Sequence, residues 1–252
     1  MMKQLITAII FLCAFTTQAQ LNVKDSAIAF PWVSVQYGFN LTAGDLADRH
    51  GHFNHVGLFA GYKTQKNWVY GIDGSFLFGN KVKVQGLFNE LVDSKGNITD
   101  QNGDIADVIV SSRGMHVNLN AGKIFPVFNP NPNSGLYASV GAGFLAHKIR
   151  IETPEQVVPQ VELDYRKGYD RLSQGVNISA FFGYAFMASE SFVKFYGGFY
   201  AQQGFTYNMR TIFFDQPNTP VSTDLRNDLQ FGVRLGWLIP IYQRQAKEFY
   251  FD

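Results

Sequence analysis

The chain has 252 residues, 21 of them basic and 20 acidic, and a single cysteine. Such a balance gives no support to nucleic-acid binding, and one cysteine excludes a disulfide framework. With 16% charged residues, 15% aromatics and 24 glycines, the composition points to aromatic, Gly-rich β structure.

Residues 1–19 place one basic residue, Lys3, ahead of an apolar run from Leu5 to Phe15 and then small and polar residues ending at Ala19. This is the order of a secretory signal, with a run too short to span a bilayer. It predicts a mature chain starting near Gln20, with the charges balanced once Lys3 is gone. Cys13 falls inside the signal, and Leu12 is not the small residue a lipoprotein site needs, so no lipid anchor is expected. After residue 20 no stretch approaches the roughly 18 consecutive apolar residues of a membrane helix. A secreted, aromatic, Gly-rich chain of this kind suggests a membrane β-barrel, with a soluble β-sandwich as the rival.

Period-two alternation then recurs about eight times along the chain. In the first run Val33, Val35, Tyr37, Phe39 and Leu41 oppose Ser34, Gln36, Gly38 and Asn40. The second sets Val56, Leu58, Ala60 and Tyr62 against Gly57 and Gly61, and the third sets Trp68, Tyr70, Ile72, Phe76 and Phe78 against Asp73 and Ser75. Met115, Val117, Leu119 and Ala121 alternate with His116, Asn118 and Asn120. Leu136 to Phe144 oppose Tyr137, Ser139 and His147; Val176 to Phe186 oppose Asn177 and Ser179; Val193, Phe195 and Phe199 oppose Lys194, Tyr196 and Gln202. The eighth run sets Leu229, Phe231, Val233, Leu235, Trp237 and Ile239 against Gln230, Gly232, Arg234 and Gly236.

Connections alternate in length. TQKN, FNPNPNS and ASES are short, whereas the segments near 42–52, 80–112, 150–173 and 208–226 are long. Membrane barrels have short periplasmic turns and longer outside loops, so both termini are expected in the periplasm. The expected organisation is a signal at 1–19, a periplasmic segment at 20–31, a barrel at 32–242 and a periplasmic tail at 243–252. The apolar stretches Lys81 to Val92 and Ile105 to Val110 leave open a projecting ribbon or a ten-stranded barrel. Residues 230–237, QFGVRLGW, fit the insertion signal of outer-membrane strands through Gln230, Gly232, Leu235 and Trp237, although a tail follows where that signal usually ends the chain.

With its signal ending QAQ, its eight strands and its aromatic C-terminal end, the chain resembles the small outer-membrane barrels of the Bacteroidota, the PorT-like and OmpA- or OmpX-like superfamily. The resemblance implies an all-β, antiparallel up-and-down barrel in the cell outer membrane. It also implies lipid contacts including lipopolysaccharide, the insertion machinery as a partner in biogenesis, and other outer-membrane or periplasmic subunits as candidate partners.

An eight-stranded barrel is just wide enough for side chains to fill. Asp73, His116, Asn118, Asn120, Lys194 and Arg234 are the expected interior network, with Asp73 paired to Lys194 or Arg234 because an isolated buried charge is costly. The stretch DRHGHFNH at 48–55 carries His50, His52 and His55. If extended, Asp48, His50 and His52 share one face and His55 faces the lumen. The expectation is that His50 and His52 lie in a solvated loop near the lipid headgroups, with no serine recognisably placed beside them. Residues 93–104, DSKGNITDQNGD, lack EF-hand spacing and read as turns, and the mixed-charge segment 150–173 reads as a solvated loop or protein contact.

The function expected is a non-enzymatic barrel without cofactor or metal, an accessory subunit of a secretion or insertion assembly, such as the type IX secretion that PorT-like proteins include. A lipid A modifying hydrolase centred on His50 or His52 is the alternative, and an adhesion or ligand-binding barrel the third reading.

Overall fold

The computed structural model describes residues 26–240 apart from 129, 163 and 189–193. The secretory signal, the tail after 242 and most of the ASES turn lie outside the described residues. Eight strands, β1 (Phe30–Gly44), β2 (Phe53–Lys63), β3 (Trp68–Gly79), β4 (Ile109–Phe125), β5 (Gly135–Glu152), β6 (Ser173–Met187), β7 (Lys194–Asn208) and β8 (Arg226–Pro240), follow in chain order. Each pairs antiparallel with its neighbour, and β1 pairs with β8 from Trp32↔Pro240 to Gly44↔Asp228, closing the barrel. β1 begins two residues earlier than the alternation suggests, because Phe30 is buried and already paired with Lys63.

Closure satisfies every strand edge, and the alternation then decides what faces each way. Leu58, Ile72, Leu119, Val140, Ile178, Phe199 and Leu235 are exposed on the outside, while Gln36, Asn40, Asp73, Asn118, Gln202 and Arg234 are buried within. A polar interior under an apolar aromatic exterior is stable against hydrocarbon, not against water.

No ninth or tenth strand forms among the described residues, which corrects one expectation for residues 80–108. Only the isolated bridges His50↔Val82 and Thr99↔Ile105 occur there. The apolar side chains instead fold into a cap over the long-loop end. Leu87, Ile98 and Ala106 pack with Ile149 and Ile151 of β5 and with Val158, Val161 and Tyr169, joined by Phe88 and Phe214. The segment after β5 is therefore not a plain solvated loop: its Val158 and Val161 are fully buried, held by two short 3-10 turns (Pro159–Val161, Tyr165–Gly168). At the cap's tip the Asp93 carboxylate accepts the backbone N–H of Lys95 and Asn97, and Asp100 those of Asn102 and Asp104. These are Asx turns, with Gly96 and Gly103 at positive φ.

The lumen is layered. Its short-turn end is filled by Trp32, Phe59, Val69, Phe181, Met187 and Leu238. Across that end lies the N-terminal segment, fixed where Lys63 Nζ donates to Ile28 O at 2.9 Å and Asn133 Nδ2 to Ser26 O at 3.0 Å. Polar groups occupy the middle and the long-loop end.

Candidate functional site

The middle layer is built around Asp73, which faces inward from β3. Arg234 Nη1 of β8 donates to Asp73 Oδ2 at 2.7 Å, and Gln36 Nε2 and Ser75 Oγ donate to Oδ1 at 2.5 and 3.1 Å. The Arg234 guanidinium lies 3.7 Å from the Tyr200 ring centroid, and its Nε donates to His55 Nε2 at 3.2 Å. Tyr196 Oη donates to Gln36 Oε1 at 3.0 Å. A cavity of about 20 Å³ remains beside Gln36, Asp73, Asn120 and Arg234, room for about one water.

Of the two cations expected against Asp73, Arg234 is the one that reaches it. Lys194 is the first residue of β7, opposite Met187 at the short-turn end, whereas Asp73 sits midway along β3. His116 Nε2 lies 3.5 Å from Asp73 Oδ1, and Asn120 Nδ2 donates to Asn118 O at 3.2 Å. Asn118 is buried in the same layer with no partner for its amide among the described residues.

The four residues expected to carry an insertion signal divide between faces. Gln230 is lumenal, donating to Gln202 and accepting from Asn40. Leu235 and Trp237 point outward. Gly232 sits at the β1–β8 seam, where a Cβ would lie 1.9 Å from Phe39 O. Gly38 has a comparable role, since a Cβ there would lie 2.1 Å from the His55 ring.

The outer layer overturns the expected place of His50. Leu46–Arg49 form a short helix, α1, so Asp48, His50 and His52 do not share an extended face. Gly51 N donates to Lys81 O at 2.8 Å, and this contact turns the chain so that His50 enters the lumen, where it is fully buried. His52 stays outside, 5.3 Å from the Phe39 ring, and His55 faces the lumen as its parity requires.

His50 stands in an unbroken hydrogen-bonded chain. Ser112 Oγ lies 2.8 Å from His50 Nδ1, His50 Nε2 lies 3.2 Å from His147 Nδ1, and His147 Nε2 lies 2.8 Å from Asp228 Oδ2. Thr206 also donates to Asp228 Oδ2. An ionised carboxylate only accepts, so His147 donates from Nε2 to Asp228. Burial first, then the neighbouring His147 and Arg49, hold the His50 imidazole well below its ordinary pKa, hence neutral.

Serine, imidazole and carboxylate in this order are the components of an activated nucleophile. Accessibility opposes that use: Ser112 has no exposed surface, and its hydroxyl lies 3.3 Å from Lys81 O beneath the cap. Sequence reading missed the chain because Ser112 and His50 lie 62 residues apart. The available signal was parity, since Ser112, His147 and Asp228 all fall on inward positions near the same strand ends. Among the described residues no group of three or more His, Cys, Asp or Glu is placed to hold a metal ion.

No protein-family model and no curated protein matches the chain. Among solved structures it is similar to Neisserial surface protein A, at 11% identity over 85% of this chain and 99% of that one, with a TM-score of 0.43. It is also similar to Ail, the attachment invasion locus protein of Yersinia pestis, at 11% identity, 85% and 99% coverage and a TM-score of 0.38. For Ail in complex with the heparin analogue sucrose octasulfate the TM-score is 0.36, at 11% identity over 84% and 99% of the chains. The architecture of this barrel rests on its own strand pairing.

Proposed function

We propose that the chain is a non-conducting, non-enzymatic barrel of the outer membrane that serves as an accessory subunit, presenting its cap to another envelope protein. The observation that carries this reading is the pairing of a filled lumen with a cap that has its own buried core. A pore has no use for a lumen closed by Trp32, Arg234 and His50, and loops that only shield a barrel need no core of fully buried Val158, Val161 and Ile151. The long connections face outward and both termini face the periplasm, by the usual asymmetry of such barrels. Gln230, Gly232, Leu235 and Trp237 are read by the insertion machinery, and the Asp73 and Arg234 network fixes register.

Purification of tagged full-length chain from native membranes in a mild detergent tests this. A stoichiometric envelope partner is expected, lost when Val158 and Val161 are replaced by Asp. A barrel recovered alone after chemical crosslinking, or steady conductance in planar bilayers, would overturn the reading.

One observation favours a second reading, a hydrolase of lipid esters: the Asp228, His147, His50 chain ends on a serine hydroxyl. A lipid A ester profile altered by gene deletion and restored by wild type but not by Ser112→Ala would establish it.

A further inference from the structure

We infer that the outer wall around β7 is a self-association face, where a second copy of this chain packs across a two-fold axis near Gln203. The inference rests on the barrel lying in a membrane and is independent of the cap's partner.

The wall is uneven around its circumference. On β1 to β3 its exposed residues are bulky, as at Tyr37, Leu58 and Phe76. Between β4 and β8 it sinks into an open depression of about 720 Å³, lined by Ala121, Ala142, Ala180, Ala201, Ile178 and Gln203 among others. Register sets Ala180 opposite Ala201 and Ile178 opposite Gln203, so the small residues and the amide share one patch. Small side chains there let a second backbone approach closely. Gln203 is the part of the patch that lipid leaves unserved. It keeps outward parity close to the middle of β7, where one amide N–H reaches Gly204 O at 3.1 Å. Its other N–H and its Oε1 have no partner among the described residues, and hydrocarbon supplies none. The outward Asn54, by comparison, accepts from the Tyr37 hydroxyl at 2.8 Å.

Two features select a second copy over lipid. A carboxamide both donates and accepts, so it pairs with an identical group. Chains inserted in one direction are related by an axis along the membrane normal, which brings each residue of a shared face to the same depth. Gln203 near that axis meets its own copy. The second feature is length. On β5 the outward row stays apolar from Leu136 to Ala146 and then meets Lys148. At about 3.4 Å per residue and about 40° tilt this is a rise of roughly 26 Å, which matches the apolar band of about 25 Å. On β7 the row, apart from Gln203, runs apolar from Phe195 through Phe199 and Tyr207 to Met209, just past the strand. That is a rise of roughly 36 Å. Hydrocarbon covers only part of it, whereas a neighbouring chain of equal height covers it all.

The test uses protein purified from membranes with Cys13→Ser, so that one introduced cysteine stands alone, and reconstituted in phosphatidylcholine vesicles free of other protein. With a short bismaleimide, Ala201→Cys is expected to give a crosslinked dimer in at least tenfold higher yield than Leu58→Cys on the bulky face. That advantage should persist when the lipid-to-protein ratio is raised tenfold. Adding Gln203→Leu to the Ala201→Cys protein should lower the yield at least fivefold, and adding Ala180→Phe should do the same by filling the depression. Heat-modifiability on gels checks that each variant is folded. Should Ala180→Phe fail to fold, Gln203→Leu, which gives hydrocarbon a side chain it accepts, carries the comparison. Equal yields at positions 201 and 58, an advantage lost on dilution, or a folded Gln203→Leu variant that crosslinks as before would overturn the face and leave the depression to acyl chains or a different protein. Val158→Asp with Val161→Asp should leave the crosslink unchanged, and its loss would move the contact to the cap and likewise overturn the face. Since the vesicles hold no other protein, a failure here leaves the cap's partner standing, and a missing cap partner leaves this dimer standing.

Discussion

Replacing Asp73 by Asn removes one charge from the lumen and leaves almost every atom in place. The amide oxygen of the variant can still accept from Gln36 and Ser75, but Arg234, buried at 6% exposure, loses its counter-charge. At an effective dielectric of about 20, two unit charges roughly 4 Å apart attract by about 4 kcal/mol. Removing one member of a buried pair costs about 3–5 kcal/mol. Arg234 keeps the Tyr200 ring and His55, which favours the low end, so the expected loss is about 3 kcal/mol. Arg234→Gln should cost a similar amount. The double variant, with no orphaned charge, should recover much of the difference, giving a coupling of about 2–3 kcal/mol. Urea titrations of the refolded barrel in detergent, followed by tryptophan fluorescence, read all four corners of this cycle. Strict additivity, or an Asp73→Asn loss below about 1 kcal/mol, would refute the reasoning.

Three further outcomes follow from the same geometry. His50 is neutral in the fold, with a pKa well below the 6.5 of the open chain, so below pH 6.5 the unfolded state takes up a proton that the folded state does not. Its contribution is complete above that pH and declines by up to about 1.4 kcal/mol per pH unit in acid; cap hydrogen exchange should accelerate at pH 5, and His50→Gln should flatten the response. Ile151→Ala, at a fully buried site of the cap, should cost about 2–5 kcal/mol and admit proteases to residues 80–108 while heat-modifiability of the barrel persists. Gly38→Ala would set a Cβ 2.1 Å from His55 Cε1 and 2.7 Å from Val233 O, costing about 1–3 kcal/mol in urea titrations; equal stability to the parent would show that the ring moves aside freely.

The strands and their facing were legible because a closed barrel imposes period two, and among the described residues the runs between Val33 and Ile239 obey it. Register was not, and it alone decides whether Asp73 meets Lys194 or Arg234, which share inward parity on different strands. Loop burial was legible least. Val158 and Val161 carry no period because a 3-10 turn presents them, and Leu87 and Ile98 meet them only through tertiary contact. His50 was misplaced for a related reason: its entry into the lumen depends on Lys81 holding Gly51 from another loop.

The lumenal bonds also set an order of events. Gln36 meets Tyr196 across 160 residues, Asp73 meets Arg234 across 161, and Asn40 meets Gln230 across 190. These three bonds join the first three strands to the last two, so a nascent sheet that lacks β8 has neither the Arg234 nor the Gln230 bond. A slip of one residue at the β1–β8 seam would turn Arg234 towards lipid and Trp237 inward. The interior thus acts as a latch that is completed only when β8 closes the ring in the correct register.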